Sequence, residues 1–459
     1  MKRFVSILLL LSMVFSAGCG KQTSKEDASM NQPHEPRLLV VNPTEDQLQK
    51  CTEDIKTGVI SLKQGNKLVG GPLIDFLHEG EALESEAWVL SGTLRMTLAA
   101  GSGKASFRCW SDKDNYAEFI LSRSITGSEV LRYIVREGHR LQEKMNEIVT
   151  NTLQEGQDWT VQFSLIFCDG FVYLFLQEEG EPMKLITSYA VDWEQCRPRF
   201  ELTSGADVEF SDLQTLTDPE QVREYYREIG VSGEVLGEKR VLVLGNSGIF
   251  FYDLPSTLSR LARQAGYLVE ANTVAISSAN LNWFTESDRY IYSLKEKELQ
   301  KDYDIVIMQA STGSINSASL KNTTSQAGIQ LDQEIKETGA EPWFLVRAPR
   351  NDYTNGLDPV KAAKEYDELF TPMAEWTGGV CTYVNRAWAL AYQNTDINLW
   401  YKDNQHSNHH GAYLAACVIF STMFNTSCQV LPDDDLPADE ALTLRNIADQ
   451  VVLEGKTPW

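Results

Sequence analysis

Histidine and cysteine are scarce in this 459-residue chain, six of one and eight of the other, and neither falls in a metal-holding pattern. No Cys-x-x-Cys pair and no His-Glu-x-x-His occurs, which sets aside zinc ribbons and the common zinc hydrolases. Eight cysteines over this length cannot build a disulfide scaffold either. Positive charge is also short. Forty-one Lys and Arg face 64 Asp and Glu, a net charge of −23, which argues against nucleic acid and anionic polymers unless a local basic patch intervenes. Neutral glycans remain acceptable partners. There is no internal repeat, and beyond the first residues no segment is long and apolar enough to cross a membrane.

The start of the chain is different. Lys2 and Arg3 precede an apolar run from Phe4 to Phe15, too short for a comfortable span, and Ser-Ala-Gly-Cys ends at Cys19. The pattern reads as a secretion signal over residues 1–19. It resembles a bacterial lipobox, with Ser16 where leucine is commoner, which implies cleavage before Cys19 and a diacylglyceryl anchor on its sulfur. A conventional signal peptide cut nearby is the alternative. Residues 20–45 begin with a polar stretch that suits a tether to the membrane.

Length predicts more than one domain, and the texture of the chain changes accordingly. Residues 46–214 hold short β-rich runs such as WVLSGTLRMTLAA, WTVQFSLIF and GFVYLFLQ, whose alternation fits two packed sheets. Asn-Tyr-Ala-Glu-Phe at 115–119, Asp158-Trp159, Asp169-Gly170 and Val208-Glu209-Phe210 together resemble a concanavalin-like jelly roll. Such domains accompany glycan-active enzymes, so the resemblance implies a glycan-binding role. Trp88, Trp110, Trp159 and Trp193 can stack on sugars or serve as core. Cys51, Cys109, Cys168 and Cys196 can pair after export, with no connectivity readable, and Cys417 reads as a buried thiol.

A hydrophilic linker at 215–238 leads to residues 239–430, where strands (VLVLG, VEANTVAI, DIVIMQ, PWFLVRA, GVCTYV) alternate with helical runs. That rhythm predicts a three-layer α/β sandwich around a parallel, flavodoxin-like sheet. The tail, 431–459, carries Leu442, Leu444, Ile447 and Val451 at helical spacing and is expected to pack back on the domain.

The chemistry is carried by VLVLGNSG, Val241 to Gly248. Four apolar residues suit a strand covered on both faces, and Gly-Asn-Ser turns the chain toward a helix, presenting the Ser247 hydroxyl at the strand end. Asp253 is placed to cap that helix, Pro255 suits its first turn, and Leu254, Leu258, Leu261 and Ala265 share one face. A serine hydroxyl is a weak nucleophile until a base takes its proton. Far downstream, KDNQHSNHH supplies Asp403 and His406, three residues apart, so that the carboxylate can fold back on one ring nitrogen and leave the other for Ser247.

From about Arg240 to Phe424 these motifs resemble an SGNH hydrolase of the GDSL esterase superfamily, in the Gly-Asn-Ser branch. The resemblance implies Ser247 as nucleophile, His406 as general base and then acid, and Asp403 as its partner, with no cofactor and no metal. Two positions depart from the family pattern. Ser278 and Ala279 stand where an oxyanion-hole glycine is usual, and Gln309 stands in place of an asparagine. A main-chain N–H donates equally from any of these residues, and a glutamine amide can replace an asparagine amide. The implied hole is therefore the Ser247 N–H, an N–H near Ser278 or Ala279, and the Gln309 amide. Asn246 and Gly245 are expected to shape the turn. Together with the lipobox-like start, the resemblance implies a cell-surface serine esterase removing O-acyl groups, above all acetyl, from an acylated glycan or other small ester. Two rivals stand beside it: a glycan-binding lipoprotein whose hydrolase fold has lost activity, and metal-assisted hydrolysis at a cluster of Asp403, His406, His409 and His410.

Overall fold

The computed structural model of the protein describes residues 37–459, apart from 42–43, 55, 65–70, 99–102, 124–128, 138–139, 147–157, 232 and 352–357. The expected signal segment with Cys19 and most of the expected tether therefore lie outside the described residues. None of the described helices is long and apolar enough to cross a membrane.

Two antiparallel sheets make the N-terminal unit. One runs, in spatial order, through Leu38–Val40, Leu73–His78, Arg197–Ser204, Gly103–Trp110, Tyr116–Arg123, Glu129–Glu137 and Arg140–Asn146, with Glu81–Ala82 paired to Leu73–His78. The other runs through Lys184–Ala190, Phe171–Gln177, Asp158–Cys168, Trp88–Leu98, Ala206–Leu216, Val59–Lys63 and Cys51–Asp54. Alternate residues of both sheets meet in one core, where Phe107 and Phe200 of the first sheet pack on Phe163 and Phe210 of the second with ring centres 4.8–6.1 Å apart. Trp88 and Trp159 belong to that core, and Trp110 stacks on Tyr116 beneath the Arg199 guanidinium. All seven described cysteines are free thiols.

The sandwich begins earlier than the composition indicates. Leu38–Val40, within the stretch assigned to the tether, pairs antiparallel with Ile74–Phe76, because even three residues satisfy an open edge. The linker is likewise structured. Asp218 accepts the Gln221 N–H at 3.0 Å and Pro219 opens a helix, Pro219–Glu228, that lays Val222 and Tyr226 on the outer face of the second sheet. This explains why Asp158–Cys168 stops alternating after Phe163 and is buried on both faces from there.

The C-terminal unit holds five parallel strands in the order Tyr267–Ala275, Gly237–Gly245, Ile305–Gln309, Glu341–Leu345, Val380–Thr382. The first strand in the chain lies second in the sheet, so the order reverses beside it and opens a crevice at its carboxyl end. Val241 and Val243 join Ile305, Ile307 and Leu345 on one face, under helices Leu254–Gln264, Val384–Asn394, His409–Phe424 and Ala438–Val452. Leu242 and Leu244 join Val306, Met308 and Phe344 on the other, under Ala318–Thr338 and Pro359–Thr377.

Two local expectations are corrected here. Asp253 makes no capping bond to the Leu254–Gln264 helix, and accepts instead from the Thr187 hydroxyl of the sandwich at 3.2 Å. That helix is also buried all round. Its leucines face the sheet, while Ser256, Thr257, Ser259, Arg260 and Arg263 lie inside, between the sheet and the edge strand Lys184–Ala190. Arg263 donates to the carbonyls of Tyr226 and Ile229 at 2.8 and 3.0 Å, and Arg260 donates from Nε and Nη2 to the two oxygens of Asp434 at 2.7 Å each. In the tail, Leu444, Ile447 and Val451 are buried, but Leu442 is 46% exposed, pointing off the helix side opposite the contact.

Candidate active site

The strand Gly237–Gly245 delivers the chain to Asn246, an extended residue that caps the short helix Ser247–Phe250. Its Oδ1 accepts the Gly248 N–H at 3.1 Å, and its Nδ2 donates to the carbonyls of Ala279 at 2.9 Å and Ala310 at 3.2 Å. One buried amide thus joins the loops that follow three neighbouring strands, which accounts for Asn rather than a shorter cap residue. Ser247 follows it, its N–H unpaired among the described residues and its hydroxyl in the crevice.

The Ser247 Oγ lies 2.9 Å from Nε2 of His406, and His406 Nδ1 lies 2.7 Å from Oδ2 of Asp403. The other Asp403 oxygen accepts the N–H groups of Gln405 and His406 at 2.9 and 3.0 Å, so the Asp-x-x-His spacing closes into a turn. Burial opposes the charge on Asp403, but the bonds from the His406 ring and these two N–H groups outweigh it and hold the carboxyl below its usual range. A carboxylate on Nδ1 fixes that nitrogen as the protonated one and leaves Nε2 free to accept the serine proton.

The imidazole is also held by its faces. Phe251, four residues after the nucleophile, stacks on His406 at 4.2 Å and 11°, and Tyr401 meets Phe251 edge-on at 5.1 Å. The loop is anchored by the Tyr401 N–H on the His406 carbonyl at 2.8 Å. Asn408 then caps the helix His409–Phe424 by accepting the Gly411 N–H at 3.0 Å. Gly411 is required there, since a Cβ would fall 2.3 Å from the Leu399 carbonyl oxygen and 2.6 Å from the Trp388 ring.

His409 and His410 turn away from His406. His409 Nε2 is 3.0 Å from Asp434, under the Tyr252 ring, and His410 Nε2 is 2.5 Å from Glu440. Among the described residues no group of three or more His, Cys, Asp or Glu side chains converges as a metal site.

The donors expected for an oxyanion fall in different situations. Ser278 adopts the left-handed conformation, φ 65°, that a glycine takes without strain, and its N–H has no partner among the described residues. Ala279 is excluded as a main-chain donor, because its N–H closes the turn on the Ile276 carbonyl at 3.1 Å. Gln309 is buried beneath the nucleophile turn. A Cβ on Gly248 would lie 2.9 Å from its Nε2, and its Oε1 has no partner among the described residues. Strand alternation sends this side chain to the Val243 face of the sheet rather than toward Ser278.

Residue patterns alone missed three contributors. Asn280 accepts the Ser311 N–H at 3.0 Å and donates to Thr324 at 2.9 Å, fixing the loop after the third strand. Phe251 and Arg347 were invisible because an aromatic beside a turn and an arginine beyond a strand have many ordinary explanations. Repeated Asn residues after the strand ends, at 246 and 280, were the one signal present.

No family model matches the chain, and no curated protein matches it in sequence. Solved structures are similar to parts of it. One described as an SGNH hydrolase from Slackia heliotrinireducens is 22% identical, covering 40% of this chain and 99% of that one, TM-score 0.36. A DUF4886 family protein from Bacteroides uniformis is 14% identical over 48% and 96%, TM-score 0.41. An acetylxylan esterase from Geobacillus stearothermophilus is 11% identical over 40% and 94%, TM-score 0.32.

Proposed function

We propose that this chain is a serine ester hydrolase that removes O-acyl groups, acetyl foremost, from carbohydrate at the cell surface, held there by a lipid on Cys19. The observation that carries the activity is the unbroken chain of hydrogen bonds from Ser247 through His406 to Asp403. Ser247 attacks the ester carbonyl as His406 takes its proton. The imidazolium, stabilised by Asp403, then protonates the leaving alcohol, and water activated by the same imidazole releases the acid. The N–H groups of Ser247 and Ser278 are the main-chain donors for the oxyanion, with Gln309 as the side-chain candidate. The acetylxylan esterase among the similar structures fits this substrate class. The sandwich, as a jelly roll, would hold the glycan.

A second reading is a glycan-binding protein on a degenerate hydrolase fold. It is favoured by one observation: the Ala279 N–H is consumed and the Gln309 amide lies beneath the turn, which leaves the oxyanion two sure donors. Acetate release from acetylated glycans and from 4-nitrophenyl acetate separates the two. Activity that vanishes in Ser247→Ala, with fluorophosphonate labelling at Ser247 alone, is the expected result; activity unchanged in Ser247→Ala sinks the serine mechanism.

A further inference from the structure

Arg347 is a buried cation that the Ser247 chemistry does not use. It lies just past the strand Glu341–Leu345, and alternation carries its side chain, like that of Leu345, to the sheet face under the His406 loop. It is 6% exposed. Among the described residues its partners are carbonyl oxygens, Ala310 at 3.3 Å from Nη1 and Ala348 at 3.2 Å from Nε. Among the described residues no carboxylate pairs with it, and a charged neighbour that acts on it is another cation, Arg350. Burial lowers its pKa, the Arg350 charge adds to that, and Tyr366 works the other way. A guanidinium withdrawn from water with no anion beside it carries an unbalanced charge.

The remaining nitrogen is aimed at the nucleophile turn. A carbon attached to Gly248 would lie 3.4 Å from Arg347 Nη2, 2.9 Å from Gln309 Nε2 and 3.3 Å from Asn246 Oδ1, the last already engaged by the Gly248 N–H. Two donors therefore converge, one residue after Ser247, on a space kept open by a missing side chain. Beside it is a cavity of about 30 Å³ lined by Gln309, Arg347, Gln405 and His406, with Leu345 and Trp388 as apolar walls. Room on that scale holds one or two water molecules, or the two oxygens of a carboxylate.

We propose that Arg347 is a specificity residue that binds a carboxylate carried by the ester substrate, adjacent to the scissile group. This deepens the esterase reading and rests on it for the reaction. On a chain with net charge −23, an anionic substrate needs such a local cation to offset the repulsion. The carboxylate has two possible sources, a sugar acid on the alcohol side of the ester or a dicarboxylic acyl group on the acid side.

The test compares 4-nitrophenyl acetate with 4-nitrophenyl hydrogen succinate, and an O-acetylated methyl glucoside with the matching methyl glucuronoside. The parent is expected to prefer the carboxylate-bearing member of one pair, and which pair identifies the source. Arg347→Met should lower the charged-to-neutral ratio of kcat/KM by about 10- to 100-fold, as befits loss of a charge-assisted hydrogen bond, and Arg347→Lys should keep part of it. If Arg347→Met does not fold, Gly248→Ala, whose methyl fills the space between the donors, should lower the same ratio. A parent without preference in either pair, or a ratio unmoved by these variants, overturns the proposal. Calorimetric binding of glucuronate and succinate to the Ser247→Ala protein keeps it apart from the esterase reading. Arg347-dependent binding without hydrolysis by the parent leaves the site standing and removes the esterase. Hydrolysis with neither preference nor binding does the reverse.

Discussion

Replacing Asp434 by asparagine should destabilise the protein more than any other isosteric change near the site. The carboxylate is 1% exposed and meets Arg260, itself fully buried, through two bonds of 2.7 Å, with His409 Nε2 at 3.0 Å. Asparagine keeps the shape but presents an NH2 to one guanidinium nitrogen and leaves the Arg260 charge uncompensated. Breaking a buried pair from one side costs about 3–5 kcal/mol. At about 2–4 °C per kcal/mol for a unit of this size, the midpoint of thermal unfolding should fall by roughly 6–20 °C. The pH dependence has a definite sign. Burial opposes ionisation of Asp434, but Arg260 and then His409 outweigh it and hold its carboxyl far below the unfolded value. The unfolded chain thus takes up the proton first on acidification, and the contribution of Asp434 is complete above about pH 4 and declines below it. Circular-dichroism melts of parent and Asp434→Asn at pH 7, repeated toward pH 3, check both points. A midpoint within about 3 °C of the parent at pH 7 would refute the account, as would a difference that widened on acidification.

Among the catalytic residues, His406→Ala should lower kcat by roughly 10⁵- to 10⁶-fold and Asp403→Asn by about 10⁴-fold, measured on 4-nitrophenyl acetate, because only the first removes the proton acceptor itself. Gln309→Ala should lower kcat by about 10²-fold with KM little changed if its amide turns to the oxyanion, and an unaltered kcat removes it from the hole. Gly411→Ala should cost about 1–3 kcal/mol or more in urea unfolding, since its methyl meets the Leu399 carbonyl oxygen and the Trp388 ring. In the last helix, Leu444→Ala should cost about 2–5 kcal/mol, while Leu442→Ser, on the exposed side, should stay within about 0.5 kcal/mol.

The nucleophile turn and the Asp-x-x-His turn were legible because both are local. Four apolar residues before Gly-Asn-Ser dictate the strand and its exit, and three residues are the span across which a carboxylate reaches its own histidine. The helix after Ser247 was legible in its leucines but not in its surroundings. Ser256, Arg260 and Arg263 have the composition of a solvated face, and it is turned inward by residues far away in sequence, the sandwich edge at Ser188, Asp434 of the tail and the linker-helix carbonyls. The same holds for Leu38–Val40, three residues whose strand character comes entirely from the edge they complete. At Ala279 the limit was different: whether an N–H is free depends on a turn that the side chains do not specify.

The helix Leu254–Gln264 has a bearing on how the chain is born. Lys184–Ala190 is the last strand of its sheet, almost wholly buried and paired with one strand only. What covers it is that helix, synthesised more than sixty residues later. As the protein emerges, the sandwich is completed first and stands with this edge bare, a template for any extended chain nearby. The segment that carries the nucleophile is what closes it. Release from the vulnerable state and assembly of the Ser247 turn are therefore one event, and a chain truncated before Leu254 should aggregate through its sandwich even though every strand of that sandwich is present.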